Sequence, residues 1–471
     1  MNDAGILELS AAALACAIRA GKVSAVTAME AALARAQAVQ PKLNAFLRID
    51  ADLALDGARL ADKDLARGHL RGPLHGVPMA HKDMYYRRGV PSSYGGKLGP
   101  SRPAPSTATA LERLDAAGSI QYGVLNMAEF AFGPTGHNYH YGHCANAWDP
   151  ARITGGSSSG SGTAVAARAS FAALGSDTGG SIRLPAAFCG VSGIKPTYGR
   201  VSRAGAMPLS FSLDTVGPLA RTVEDCALIL RELAGPDARD PTTEAREVPD
   251  YMAELRRPVA GLVIGKPRQY FYDGCDAEIV AAMEASLEVF RRLGARVVEV
   301  DLPDFEAWNA AATMIIGAEA AAMHGNWLRT RPQDYSPQVR ARLEQGMVVP
   351  AAAYIDSLRL RGVALREFSE QVFSKVDVLH APVVAFPTPG IAETDVGGGP
   401  KMAALLGQVT RLTRPGNFLG VPALSVPAGF TKAGMPVGMQ LQGRPFDEAT
   451  LFALGHAYQG ATDHHRKMPP L

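Results

Sequence analysis

Two Gly/Ser-rich clusters and one lysine are the residues of this chain that could perform nucleophilic chemistry. The first cluster, "GGSSSGSG", spans residues 155–162, the second, "GSDTGGS", spans 175–181, and Lys82 precedes both in "GVPMAHKD". A serine hydroxyl is a weak nucleophile at neutral pH and requires an adjacent base. A lysine can be that base only when it is neutral, which requires burial or nearby positive charge because its reference pKa is about 10.4.

The second cluster has the composition of a tight turn that carries a nucleophile. Gly179 and Gly180 directly precede Ser181, so the chain can turn sharply there without clashes of a Cβ atom. Such a turn frees backbone N–H groups to point at a developing oxyanion, and each donor is worth roughly 10²–10³ in rate. The Ala-rich segment that joins the two clusters is apolar, which predicts buried core rather than a flexible linker.

Other chemistries lack their sequence patterns. The eleven histidines include no H-E-x-x-H motif, and neither a phosphate-binding loop nor a dinucleotide fingerprint is complete. The five cysteines are scattered without C-x-x-C spacing, which indicates neither a disulfide framework nor a zinc site. The His-rich "GHNYHYGH" at 136–143 has no Cys or carboxylate at a familiar spacing, so it is expected to lie near a substrate entrance. We therefore predict no metal and no cofactor.

The segments around these residues resemble the amidase signature family. The chain carries "GVPMAHKD", "GGSSSGSG", "LGSDTGGSIRLPAAFCG" and "GIKPTYGRVS", with spacing that fits this family. The similarity extends to "NAF" near the N-terminus and to "NFLGVPALSVPAGF" and "GMPVGMQLQGRPFDE" near the C-terminus. The resemblance therefore covers most of the chain.

The resemblance implies a Ser–Ser–Lys triad. Ser181 would be the nucleophile, and Lys82 would be the base that starts the proton relay. Ser157 would be the bridging serine, joined to Gly156 by a cis peptide bond. The oxyanion hole would be formed by the N–H groups of Thr178, Gly179, Gly180 and Ser181.

Supporting roles are expected for three neighbours of the triad. Ser158 would supply a hydrogen bond near the triad, or would simply satisfy backbone groups of the turn. Asp177 would cap or brace the nucleophile turn, and Arg183 would orient Asp177 or local carbonyl groups. Lys195, in "GIKPTYG", is expected to be structural.

An alternative outside this family uses Ser158 as the nucleophile. Residues 156–160, "GSSSG", fit the G-x-S-x-G elbow of α/β-hydrolases. That elbow requires a strand before it and a helix after it. A helix could form at "TAVAARA", but "NAWDPARIT" is a poor strand. This alternative predicts covalent labelling of Ser158, whereas the amidase interpretation predicts labelling of Ser181.

The elements that must position these residues form an α/β pattern. Residues 114–125 and 276–303 each indicate a helix, a glycine stop and a strand, and "GLVIGKP", "VDVLHAPVV", "ALSVPAGF" and "PVGMQLQG" indicate further strands. Alternating helices and strands predict an α/β fold. The resemblance implies the amidase signature fold, a central mixed twisted β-sheet covered on both faces by helices.

The predicted domain organisation has two parts. Residues 1–70 are expected to form an N-terminal helical segment that packs on the core, and residues 71–471 an amidase signature domain. A more helical subregion at about 250–375 would follow an exposed loop at 234–250.

The function implied by the resemblance is hydrolysis of an amide-type C–N bond of a small molecule through an acyl-enzyme. One alternative is the glutamine-hydrolysing A subunit of a tRNA-dependent amidotransferase. Proteins of that kind usually carry "ANL-RYDG" where this chain reads "GAEAAAMHGNWLRTRP", and an aspartate where Thr410 stands. Carbamates and acyl ureas of the biuret or allophanate type remain open. Four arginines could receive a substrate carboxylate or be surface charges: Arg340, Arg342, Arg411 and Arg414.

Charge and hydropathy limit the partners and the location. The net charge is +2 and no basic run occurs, so no nucleic-acid partner is implied. The acidic N-terminus does not fit a signal peptide, and no apolar run reaches the roughly 18 residues of a membrane span. We expect a cytoplasmic enzyme whose partner is a small-molecule amide or carbamate, with a homodimer left open.

Overall fold

A single large mixed β-sheet forms the centre of the protein. The computed structural model describes residues 2–99 and 102–471, and this part of the chain contains an 11-stranded sheet. Its strands are β1 (Phe46–Ile49), β2 (Pro78–Lys82), β3 (Ile120–Leu125), β4 (Ala172–Asp177), β5 (Ser192–Lys195), β6 (Thr215–Ala220), β7 (Val263–Pro267), β8 (Arg296–Val300), β9 (Val378–Pro382), β10 (Ala423–Phe430) and β11 (Pro436–Gly443).

The strand order is β1-β3-β2-β4-β6-β5-β10-β11-β9-β7-β8. Strands β3, β2 and β4 are parallel neighbours, as are β9, β7 and β8. The strands between these two groups pair antiparallel. The mixed α/β sheet predicted from the resemblance is thereby confirmed.

Helices flank the sheet. In the described residues they are α1 (Asp3–Glu8), α2 (Ala11–Arg19), α3 (Ala25–Leu43), α4 (Ala51–Ala66), α5 (Thr109–Ala116), α6 (Ser159–Ala166), α7 (Arg183–Cys189), α8 (Val223–Leu233), α9 (Tyr251–Glu254), α10 (Ala277–Arg292), α11 (Phe305–Thr330), α12 (Pro337–Gly346), α13 (Ala351–Phe368), α14 (Ile391–Thr394), α15 (Met402–Thr410), α16 (Arg414–Leu419) and α17 (Glu448–Gly460). Short 3₁₀ segments lie at Glu129–Ala131, Pro332–Asp334 and His464–Arg466, and a π-helical turn lies at Ser369–Phe373.

Local sequence signals explain many of these boundaries. Asp276 caps α10 by accepting a hydrogen bond from the Glu278 N–H, and Gly294 adopts a φ of +87° between α10 and β8. Strands β2, β4, β5, β6, β9 and β11 are buried along their whole length. These strands are covered on both faces, so their burial does not alternate from one residue to the next, and the polar residues in them, such as His81, Lys82 and Asp177, are buried as well.

The structure differs from the sequence-based organisation within residues 1–70. Residues 46–49, inside the segment expected to be helical, form β1 and pair antiparallel with β3. The more helical subregion at 250–375 contains the two expected strands, β7 and β8, and both belong to the same sheet as the other strands. The segment at 234–250 contains neither helix nor strand and is largely exposed, as expected. Within the described residues, no helix combines the length and apolar character needed to cross a bilayer.

Candidate active site

Lys82 and the first Gly/Ser cluster meet at one edge of the sheet. Lys82 is the last residue of β2, and β2 runs parallel to β4, so the carboxyl ends of both strands lie side by side. The Lys82 side chain is completely buried. Its Nζ donates hydrogen bonds to the Ser157 Oγ at 2.7 Å and to the Ser176 Oγ at 2.9 Å. The predicted proximity of Lys82 and Ser157 is therefore observed.

The surroundings of Lys82 favour its neutral form. Burial lowers the pKa of Lys82 to about 7, although the carboxylates of Asp214 and Asp177 act in the opposite direction. In the part of the chain that the structure describes, neither Asp177 nor Asp214 lies close enough to Lys82 to form an ion pair with it. Burial therefore favours the neutral amine, which can accept a proton.

Ser157 lies in a segment that has no room to shift. The peptide bond between Gly156 and Ser157 is cis, as the resemblance implied. A Cβ atom at Gly156 would lie 2.2 Å from the carbonyl oxygen of Gly133, so only glycine fits there. The Ser157 side chain is fully buried, and the backbone carbonyl of Ser157 accepts a hydrogen bond from the Ala128 N–H. This packing holds the hydroxyl of Ser157 against Lys82.

Ser181 lies on the tight turn between β4 and α7. Gly180 in this turn has a φ of +127°, and a Cβ atom there would lie 2.3 Å from the Thr413 Oγ1. The Thr413 hydroxyl donates to the Gly179 carbonyl at 2.6 Å, which ties the turn to the segment before α16. Ser181 lines a cavity of about 30 Å³, and in the described residues its hydroxyl has no hydrogen-bond partner. Its oxygen is therefore available to a ligand.

Asp177 and Arg183 brace this turn from inside the protein. Asp177 accepts hydrogen bonds from the N–H groups of Gly180 and Ile182 and from the Arg183 guanidinium. Burial raises the pKa of Asp177, but the charge and hydrogen bonds of Arg183, the charge of Lys195 and the hydrogen bond from Asn417 together outweigh burial and hold the pKa well below its ordinary value. Arg183 also donates to the side chains of Gln440 and Asn417. These contacts fit the bracing role expected for Asp177 and the orienting role expected for Arg183.

The same contacts change the composition of the expected oxyanion hole. The Gly180 N–H donates to the Asp177 Oδ1 at 2.7 Å, so it is committed to the brace and points away from the cavity. The inclusion of Gly180 among the oxyanion donors therefore disagrees with the structure. The N–H groups of Thr178, Gly179 and Ser181 have no hydrogen-bond acceptor within the described chain and remain candidates. Composition could not reveal this difference, because it depends on where the Asp177 carboxylate lies.

The Ser158 hydroxyl bonds backbone groups of the protein and, among the described residues, does not face a cavity that could hold a substrate. Its hydroxyl donates to the Ser176 carbonyl and accepts from the Ser176 N–H, both at 3.3 Å. Its side chain is fully buried, and no strand of the described chain directly precedes it. The strand–turn–helix context that the α/β-hydrolase alternative requires is therefore missing, and Ser158 matches the expected supporting role.

Three site residues were not singled out by the sequence reasoning. Ser176 contacts Lys82, and its only sequence signal was its place inside "GSDTGGS". Asp214 accepts hydrogen bonds from the Thr178 hydroxyl and from the Ser210 N–H, and burial raises its pKa to about 6. Asn417 donates to both the carbonyl and the carboxylate of Asp177. Ser176 and Asn417 lay in segments with a recognised motif, whereas Asp214 did not.

The four candidate arginines separate into two pairs. Arg342 and Arg414 line the cavity that contains Ser181. Arg340 pairs with Glu344, and Arg411 pairs with Glu306, in both cases at the surface. Arg342 and Arg414 are thus the two that could contact a substrate in this cavity, whereas Arg340 and Arg411 take part in surface ion pairs.

The histidines of residues 136–143 have structural contacts. His137 bonds the Thr394 hydroxyl, His140 bonds Glu129, and His143 accepts from the Asn138 N–H. None of them is among the residues that line the Ser181 cavity. In the part of the chain that the structure describes, no group of three or more His, Cys, Asp or Glu side chains is arranged to hold a metal ion.

Comparisons with known proteins identify the family of the chain. The family model for amidases matches residues 27–452. The A subunit of the glutamyl-tRNA(Gln) amidotransferase from Chloroflexus aurantiacus is 43% identical over 489 aligned positions, covering 98% of each chain. A solved structure described as an unexpected vestigial protein complex that reveals the origins of an s-triazine catabolic enzyme is 37% identical, with a TM-score of 0.88 and 98% coverage of each chain.

A second solved structure is that of the A subunit of the glutamyl-tRNA(Gln) amidotransferase from Thermotoga maritima. It is 28% identical, with a TM-score of 0.79, and the alignment covers 97% of this chain and 94% of that one. The family match spans most of the chain and includes both Gly/Ser clusters and the lysine. The chain therefore belongs to the amidase signature family.

Proposed function

We propose that this chain hydrolyses an amide-type C–N bond with Ser181 as the nucleophile and Ser157 and Lys82 as its proton relay. The observation that supports the proposal most directly is the buried Lys82 amine. Its pKa is lowered to about 7, and its Nζ lies 2.7 Å from the Ser157 Oγ. A neutral amine next to a hydroxyl is a competent general base, and Ser181 opens to a cavity nearby.

The reaction would proceed in two halves. The neutral Lys82 amine accepts the proton of Ser157, the Ser157 oxygen takes the proton of Ser181, and the Ser181 Oγ bonds to the substrate carbonyl carbon. The N–H groups of Thr178, Gly179 and Ser181 would stabilise the oxyanion. The C–N bond then breaks as the leaving nitrogen takes the proton back through the relay. Water attacks the resulting ester by the same route and releases the acid.

The relay requires a hydrogen bond between the hydroxyls of Ser181 and Ser157 when substrate is bound. Hydrogen bonds of catalytic groups are often long or misaligned before substrate binds and tighten afterwards. The Ser181 hydroxyl has no competing protein partner among the described residues, so no hydrogen bond within the protein has to break before the relay forms.

A second candidate is the glutamine-hydrolysing A subunit of a tRNA-dependent amidotransferase. The specific observation in its favour is the 43% identity over 98% of both chains to a protein of that name. The comparisons favour this candidate over a free-standing amidase. The cavity favours the small-molecule amidase. Thr410, Arg342 and Arg414 line it, and among the described residues that line it there is no Asp or Glu whose carboxylate could hold the amino group of glutamine.

A matched substrate panel tests both candidates. It would contain glutamine, an aliphatic amide, an anilide, an aryl carbamate, a biuret-type acid and an ester, each assayed with the wild type and with Ser181→Ala. Turnover of one class that disappears in Ser181→Ala supports the proposal. Turnover of glutamine alone, and only with added partner subunits, supports the amidotransferase role. Activity that survives in Ser181→Ala contradicts the assignment of the nucleophile.

A further inference from the structure

The cavity that contains Ser181 continues into a second, outer cavity. The outer cavity has a volume of about 160 Å³ and lies between α11, α12 and α16. The two cavities share four lining residues: Phe132, Ile316, Arg342 and Arg414. A ligand whose reacting carbonyl lies at Ser181 therefore extends past both arginines, with the aromatic and aliphatic side chains beside it.

Arg414 is a buried cation without a carboxylate partner. It begins α16 and is only 7% exposed. Its guanidinium donates to the Asn309 Oδ1 at 3.0 Å, to the Thr313 Oγ1 at 2.7 Å and to the Thr410 hydroxyl. All three acceptors are neutral, so they fix the orientation of the guanidinium and leave its charge uncompensated.

Arg342 presents a second cation to the same space. Its guanidinium lies 3.5 Å from the centre of the Phe132 ring and donates to the Phe132 carbonyl at 2.7 Å. Desolvation lowers the pKa of Arg342 to about 9, and the nearby charge of Arg414 acts in the same direction. Burial lowers the pKa of Arg414 to about 10. Both values are above 7, so both groups are charged at neutral pH.

No anionic side chain lines either cavity among the described residues. Two positive charges that repel each other in a desolvated place are costly unless an anion offsets them. An arginine pair in fixed orientation matches the planar geometry of a carboxylate. A ligand ammonium group would be repelled by the same two charges.

We propose that this pocket selects amide substrates that carry a carboxylate near the scissile carbonyl and excludes those that carry a cation there, with Arg414 as the specificity-determining residue. The inference rests on the proposed function, since it names the substrate class of the Ser181 site. It assigns Arg342 to assist in binding the same carboxylate.

Three amides of similar size test the charge preference. Succinamate carries the carboxylate, isocaproamide replaces that carboxylate with a neutral isopropyl group of the same shape, and γ-aminobutyramide carries an ammonium group. We expect kcat/KM to be highest for succinamate and lowest for γ-aminobutyramide. Equal values for the three amides, or a preference for the ammonium compound, would overturn the inference.

Variants of the arginines identify the residue responsible. In Arg414→Met we expect the ratio of kcat/KM for succinamate to that for isocaproamide to fall about 10- to 100-fold, the range for loss of hydrogen bonds to a charged group. Arg414→Lys should recover part of this ratio. Arg411→Met, at the surface pair with Glu306, is the matched control and should keep the wild-type ratio. If Arg414→Met is unstable, Arg342→Met provides the same comparison.

A serine-directed fluorophosphonate separates failure of the inference from failure of the proposed function. If the reagent labels Ser181 and amides are hydrolysed without any charge preference, the substrate inference is wrong and the function stands. If Ser181 is not labelled and no amide of the panel is hydrolysed, both are wrong. Labelling together with an Arg414-dependent preference for succinamate supports both.

Discussion

Two buried lysines at the ends of two strands of one sheet invite comparison. Lys82 ends β2 and Lys195 ends β5, and the exposed fraction of each is at most 1%. Burial lowers the pKa of each to about 7. By pKa alone the two amines are equally suited to act as bases at neutral pH.

Their neighbours are different. The Lys82 Nζ lies against the hydroxyls of Ser157 and Ser176, whereas the Lys195 Nζ donates to the carbonyl of Pro196. A hydroxyl has a proton that a neutral amine can remove, and a carbonyl has none. Charges of both signs surround Lys195, with Arg183 lowering its pKa and Asp177 and Glu448 raising it. A lowered pKa favours the neutral amine at both lysines, but only Lys82 lies against hydroxyl groups from which it could take a proton.

The largest effect that follows from this comparison is on catalysis. Lys82→Met keeps the apolar stem and removes the amine that would accept the proton of Ser157. We expect kcat/KM to fall by about 10²–10⁴, in line with loss of a general base. Lys195→Met is the matched control and should lose less than about tenfold. Thermal unfolding of both variants checks that each folds, and equal losses of activity would show that the comparison is wrong.

The second effect is on stability as a function of pH. The unfolded chain holds the Lys195 proton up to about pH 10.5, whereas the folded chain releases it near pH 7. The unfolded state therefore binds more protons between these values, and the free energy of unfolding rises with pH. Lys195→Met should remove part of that rise, of the order of a few kcal/mol. Urea unfolding of wild type and variant near pH 6.5 and 9.5 measures the difference, and parallel pH profiles would contradict it.

The smallest effect concerns the position of the pH–activity profile. The wild-type kcat/KM should rise with pH through about 7 as Lys82 loses its proton. The hydrogen bond from Lys82 to Ser176 favours the ammonium form, so Ser176→Ala should move this rise to lower pH by about half a pH unit. Ser161→Ala is the control, because Ser161 is also buried against β4 but bonds the Leu174 carbonyl. A profile that moves to higher pH in Ser176→Ala would contradict the role of this contact.

Much of the fold could be predicted from the sequence, because its signals are local. The helix, glycine stop and strand expected in residues 276–303 are observed as α10 and β8, and the strands expected near residues 263, 378, 423 and 436 are also present. Strand β1 was missed because four residues between two long helices carry too little periodicity to indicate a strand. Its existence depends on pairing with β3.

The candidate site was only partly predictable. The motifs pointed to Lys82, Ser157 and Ser181, and the structure places Lys82 against Ser157 and Ser181 at a cavity. The Lys82–Ser176 contact joins side chains 94 positions apart in the sequence and had no local signal. The Gly180 N–H bonds the carboxylate of Asp177 only three residues away, a contact that fits the expected brace but that composition did not assign to this N–H group.

The sequence by itself determined the family and the residue types available for chemistry: glycines where the chain must turn or pack closely, serines that could act as nucleophiles, and a lysine after an apolar segment. The tertiary structure decided which of two similar lysines lies against a serine hydroxyl, and which two of four arginines line the cavity that contains Ser181. The physical reason is that pKa and charge compensation depend on burial and on neighbours distant in sequence. Both arise only when the strands and helices pack together.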